Sequence, residues 1–81
     1  MRIIVIDDEA HQRELLAGFL EKNGHQVMRA PDGVEAIASL KIDGAEAALV
    51  DLQMPRMDGL SFIKNALELY PDMGIVVMTA Y

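Results

Sequence analysis

Three short apolar runs and a fourth, mixed segment, separated by amphipathic stretches, constrain the fold of this chain more than any other feature. Residues 3–6 (Ile-Ile-Val-Ile), 47–50 (Ala-Ala-Leu-Val) and 75–78 (Ile-Val-Val-Met) are apolar without alternation. Strands read this way when helices cover both faces of a parallel sheet, so all three are expected to be central. Residues 25–29 mix polar and apolar side chains, which suits a second strand at a sheet edge where one side meets water.

The stretches between them have helical spacing. The first, about residues 10–23, sets Leu15, Leu16, Phe19 and Leu20 on one stripe and stops at Gly24. The second begins after Pro31-Asp32-Gly33, carries Val34, Ile37 and Leu40, and ends near Asp43-Gly44. The third is expected to be capped by Asp58, to bury Leu60, Ile63 and Leu67, and to stop before Pro71. Right-handed crossovers then place the first strand between the second and third. The result is an α/β fold with a doubly wound parallel sheet of order 2-1-3-4. In such sheets ligands bind beyond the carboxyl ends of the strands, where the winding reverses, here between strands one and three.

The totals narrow the function. With 81 residues, 52% of them hydrophobic and 25% charged, the chain is at most one small globular domain. A net charge of −6 argues against direct contact with nucleic acid or an anionic membrane. The sequence has no cysteine, and His11 and His25 lack zinc-ligand spacing. No apolar run approaches the ~20 residues of a membrane helix, and the chain reads as cytoplasmic.

Strand one ends in Asp7-Asp8-Glu9 and strand three ends in Asp51, so the expected fold gathers three or four carboxylates at one rim. Like charges that close raise one another's pKa and weaken the fold unless a cation neutralises them. Oxygen-only donors favour a small octahedral cation that keeps several waters, with magnesium the natural candidate. A carboxylate on a rigid strand end can also act as a nucleophile toward phosphorus. Asp51, which closes a buried apolar strand, suits that role, and Thr79, following residues 75–78, offers a hydroxyl at the same rim. A plainer reading stands beside this one, because acids before a helix are commonly caps and Thr79 can simply end a strand. Glu46 and Asp72 read as solvated loop charges.

The order Ile-Asp-Asp-Glu, then Asp51-Leu-Gln-Met54-Pro55-Arg-Met57-Asp58-Gly59, then Met-Thr79-Ala80 resembles the response-regulator receiver family over the whole chain. The resemblance implies the flavodoxin-like fold and a phosphorelay module of a two-component system, with Asp51 as phospho-acceptor. It further implies Asp8 as direct Mg2+ ligand, Asp7 as ligand through water, and Gln53 contributing its backbone carbonyl. Thr79 matches the switch hydroxyl and Ala80 the small residue that leaves the acceptor accessible. The implied partner is a sensor histidine kinase, with a small acyl phosphate as an alternative donor. The ending Val-Val-Met-Thr-Ala-Tyr is also similar to receivers of enhancer-binding activators of the nitrogen-regulator class, which implies a role in transcription regulation.

Receivers normally continue through a further helix, strand and helix that supply a lysine at a strand end, so residues 1–81 read as a partial receiver domain. Lys22, Lys41 and Lys64 all fall in expected helices. Metal binding is therefore expected to persist while phosphorylation of this chain alone is impaired. Strand four is expected to become an open edge that drives dimerisation by edge pairing or domain swapping, or else aggregation. Such a module is no enzyme beyond catalysing its own phosphorylation and dephosphorylation. Its main rival is a phosphorylation-independent interaction module. A magnesium-dependent phosphatase wants two aspartates separated by one intervening residue, whereas Asp7 and Asp8 are adjacent, and a nucleotide-binding domain wants a glycine-rich phosphate loop after the first strand, which is absent.

Overall fold

A computed structural model describes residues 1–52 and 59–78. The elements run β1 (Arg2–Ile6), α1 (Ala10–Lys22), β2 (Gln26–Ala30), α2 (Gly33–Asp43), β3 (Ala47–Asp51), α3 (Gly59–Leu69) and β4 (Gly74–Met78). All strand pairs are parallel and the order is β2-β1-β3-β4, as the apolar runs predict. None of the described helices is long and apolar enough to cross a membrane.

Each turn has a local cause. Gly24 and Gly44 follow the ends of α1 and α2 with positive φ of 90° and 69°, a region where a side chain would be strained. Asp32 is buried because its carboxylate accepts the Glu35 N–H at 2.9 Å, capping α2. Glu46 is exposed in the loop before β3, the solvated charge expected. It ties the start of β3 to β1, its Oε1 accepting the Arg2 N–H at 2.9 Å.

The core lies mainly on one face of the sheet, where Ile4, Ile6, Ala48 and Val50 meet Ala36 and Leu40 of α2 and Phe62 and Ala66 of α3. Full burial of a side chain such as Phe62 contributes roughly 1.5–3 kcal/mol. The pleat turns Ile3 and Val5 to the opposite face, where α1 packs over β1 and β2.

Three packing expectations need correction. In α1 the buried residue is Ala17, and Leu16 and Leu20 are half-buried, but Leu15 and Phe19 are 62% and 64% exposed. One helix lying over β1 and β2 shields only the flank of its stripe that faces them. In α3, Leu60 and Leu67 are exposed and Ile63 is half-buried, while Gly59, Phe62 and Ala66 face inward. Small residues on either side of Phe62 bring that helix closer to the sheet than a leucine face allows. Val34 at the start of α2 is likewise exposed. The expected order makes β4 an open edge, and it lies at the edge among the described residues, with Val76 and Val77 exposed.

Candidate metal centre

The register brings two strand ends level. Ile6 pairs with Ala30 on one side and Val50 on the other, so the residues that follow, Asp7 and Asp51, leave the sheet at the same height. Alternation gives both the same side of the pleat. Carboxylate oxygens of Asp7, Asp8 and Asp51 all lie within 4.8 Å of one another. Asp7 is fully buried, Asp51 half-buried and Asp8 exposed, so the cluster runs from the sheet interior out to solvent.

Asp7 is held from several directions. Its N–H donates to the Ala30 carbonyl at 3.1 Å, extending the β1–β2 ladder. Its Oδ1 accepts the Glu9 N–H at 3.0 Å, and its carbonyl accepts from Arg13 Nη1 at 2.9 Å. Its Oδ2 is buried and accepts no hydrogen bond from a donor among the described residues. An unpaired buried carboxylate oxygen is costly. Burial first, and then the neighbouring charges of Asp51 and Asp8, push the Asp7 carboxyl above its ordinary value near 3.8, against the opposing pull of the Glu9 N–H.

The capping reading of these acids holds for one of them. Glu9 is the N-cap of α1, its Oε1 and Oε2 accepting the His11 and Gln12 N–H groups at 3.2 and 2.6 Å. That leaves Asp7 and Asp8 to the cluster. His11 is exposed. Around Asp51 the backbone is tightly enclosed. A Cβ on Gly59 would come within 2.6 Å of Leu52 Cδ2, 2.8 Å of Leu52 Cα and 3.0 Å of the Asp51 carbonyl oxygen. The start of α3 therefore rests directly on the end of β3, and only glycine allows that approach.

A divalent cation fits what is present among the described residues: an oxygen-only donor set, three carboxylates facing one another, and one buried oxygen without a donor among them. The remaining expected participants, Gln53, Thr79 and Ala80, lie outside the described residues, as does the Asp58 cap. Lys22, Lys41 and Lys64 sit in α1, α2 and α3. No sequence pattern reveals the bond from Arg13 to Asp7, because an arginine in the opening turns of a helix looks like any surface charge.

Comparison with known proteins agrees with this geometry. The model of the response regulator receiver domain matches residues 3–81. The response regulator MprA of Mycobacterium avium is 41% identical over 80 residues, a match covering 99% of this chain and 35% of that protein. The chain thus spans about a third of the length of the curated relatives it matches. Among solved structures, the Vibrio cholerae chemotaxis protein CheY4 superposes with a TM-score of 0.95 at 27% identity, covering 99% of this chain and 68% of that one. The Thermotoga maritima response regulator TrrA, solved in complex with Mg(2+)-BeF, gives 0.92 at 32% identity over 99% of this chain and 70% of that one. The receiver domain of NtrX from Brucella abortus gives 0.86 at 31% identity, with 93% and 64% covered. An acidic rim at the carboxyl ends of β1 and β3, on a sheet of this order, is what a receiver carries, and this chain belongs to the response regulator receiver domain family.

Proposed function

We propose that this chain serves as the phosphoryl-accepting part of a two-component response regulator, with Asp51 as acceptor and Mg2+ held by Asp7, Asp8, Asp51 and the Gln53 backbone carbonyl. The observation that carries the reading is the buried Oδ2 of Asp7, without a donor among the described residues, within a three-carboxylate cluster. A folded chain keeps such an arrangement when a cation completes it.

In the proposed transfer, an Asp51 carboxylate oxygen attacks the phosphorus of a sensor kinase's phosphohistidine in line with the breaking P–N bond. The product is an aspartyl phosphate, and the departing imidazole keeps the electron pair of that bond and takes up a proton. When bound, magnesium supplies neutralisation of the charge that gathers on the phosphoryl oxygens. Asp51 is positioned for attack by its place at the end of β3, whose backbone is fixed between β1 and β4 and closed from below by Gly59. Thr79 is assigned the hydroxyl that binds a phosphoryl oxygen, and Ala80 the small neighbour that leaves the acceptor accessible.

Incubation with a small acyl phosphate and Mg2+, followed by intact-mass measurement, tests the acceptor. A sub-stoichiometric phosphate adduct is expected on this chain and none on Asp51→Asn. An adduct that persists in Asp51→Asn would overturn the assignment.

We further propose that residues 1–81 form part of one cytoplasmic receiver domain, and that its exposed β4 edge, with Val76 and Val77, supports self-association. Light scattering of the chain at high concentration should show a dimer or larger species, and a clean monomer would refute this. The same apolar surface supports the rival reading as an interaction module that works without phosphorylation. Partner binding and signalling untouched by Asp51→Asn would favour that rival. The likeness to NtrX supports a parent of the nitrogen-regulator class, and a parent gene without DNA-binding and ATPase regions would exclude it.

A further inference from the structure

Arg13 is placed where neither its helix nor a salt bridge accounts for it. It lies near the N-terminus of α1, the positive end of the helix dipole, where a cation is disfavoured. Its side chain is only 18% exposed, and its nearest carboxylate in an ion pair, Glu14 Oε2, is 3.9 Å away, beyond hydrogen-bond distance. Its Nη1 instead donates at 2.9 Å to the carbonyl oxygen of Asp7. The Asp7 N–H and Oδ1 are already engaged by Ala30 and Glu9, so this bond fixes the one backbone group of Asp7 that remains. The next residue in the chain is Asp8, whose direction from the turn depends on how that peptide unit is oriented.

We propose that Arg13 is a positioning residue for the cation site, holding the Asp7–Asp8 peptide in the orientation that presents both carboxylates to Asp51. This rests on the magnesium site proposed above. The bond is charge-assisted, and hydrogen bonds of that kind are the stronger ones. It also works against simple electrostatics, because a fixed positive charge beside a cation site repels the incoming ion. The two roles therefore predict opposite signs. If Arg13 acts only as a charge, removing it tightens magnesium binding; if it positions the turn, removing it weakens binding.

Calorimetric titration of the full chain with MgCl2 separates them. Arg13→Ala is expected to weaken magnesium binding on the order of tenfold, the usual effect of losing a group that orients metal ligands. Arg13→Lys, which keeps the charge and one donor, is expected to retain most of the affinity. The magnesium-induced shift of the Glu9 amide resonance, which reports the Asp7 Oδ1 bond, should shrink in Arg13→Ala and recover in Arg13→Lys. Should Arg13→Ala fail to fold, Arg13→Gln removes the charge and shortens the donor, and the same weakening is expected. Unchanged or tighter binding in the variant, with the wild type binding normally, overturns the role of Arg13 and leaves the site intact. A wild-type chain that binds no magnesium overturns the site and, with it, the role assigned to Arg13.

Discussion

Two clusters of charge sit on this small molecule, and they are built on opposite principles. At the rim of the sheet, Asp7, Asp8 and Asp51 face one another, and a buried oxygen of Asp7 lacks a donor among the described residues. On the α1 side of β2, Arg29 meets two glutamates, with Nε to Glu14 at 3.0 Å and Nη1 and Nη2 to the two oxygens of Glu21 at 3.1 and 2.9 Å. The second cluster is complete in itself and fastens a helix to an edge strand. The first, on the proposed reading, is completed by a cation from outside. On that reading the contrast separates charge placed for stability from charge placed for chemistry, since clustered anions cost stability and gather at functional sites.

The largest expected effect breaks the rim cluster. Asp7→Asn keeps an acceptor for the Glu9 N–H and turns the unpaired oxygen into an amide that can donate toward Asp51. In EDTA the variant should be more stable than the wild type by about 1–2 kcal/mol, the scale of an unsatisfied buried polar atom, and its magnesium affinity should fall at least roughly tenfold. Urea unfolding with and without MgCl2 reads both effects. A variant no more stable than the wild type in EDTA would show that the rim carries no strain for a cation to relieve.

How far the sequence disclosed these clusters follows from the range of the interactions involved. Strand order and the meeting of Asp7 with Asp51 were legible because four short strand-like segments and crossover handedness leave few arrangements. Glu9 as the cap, in place of Asp7 or Asp8, was not legible. Three consecutive acids offer the same chemistry, and backbone direction at the end of β1 decides among them. Nor could spacing reveal that Phe62 and Ala66, rather than Leu60 and Leu67, face the core. Both sets fit a helical period, and the close approach of Gly59 to Leu52 sets the rotation of the helix. The Arg29 cluster joins residues 8 and 15 positions apart across two elements, which no local pattern reports.

Acid should distinguish the two clusters by sign. The Asp7 carboxyl is raised above 3.8, so the folded chain holds that proton more tightly than the unfolded chain does. Stability is therefore lost as pH rises from about 3.8 through the folded value, and the loss is complete above it. Glu21 is held below its ordinary value of 4.5, chiefly by its hydrogen bonds to Arg29. Its contribution is present above about 4.5 and disappears as pH falls through the folded value. In metal-free urea titrations from pH 3 to 7, the advantage of Asp7→Asn over the wild type should grow with rising pH. Glu21→Gln should instead fall progressively behind the wild type over the acidic part of that range. Parallel curves for the wild type and either variant would remove the corresponding group from the pH response.

The smallest expected effect sharpens the comparison from the other side. Arg29→Lys keeps the charge but replaces a planar fork of donors with a single ammonium, which cannot reach Glu14 and both oxygens of Glu21 at once. The glutamates are largely in solvent, where each ion pair is weak and screened. The melting temperature should therefore fall by only a few degrees, and about 0.5 M salt should erase most of the difference between variant and wild type. Magnesium affinity should not move, because Arg29 serves the α1–β2 contact and not the rim. A change in magnesium affinity in Arg29→Lys would mean that the two clusters are coupled through α1, the helix whose N-terminal turn Glu9 caps and whose Arg13 holds the Asp7 carbonyl.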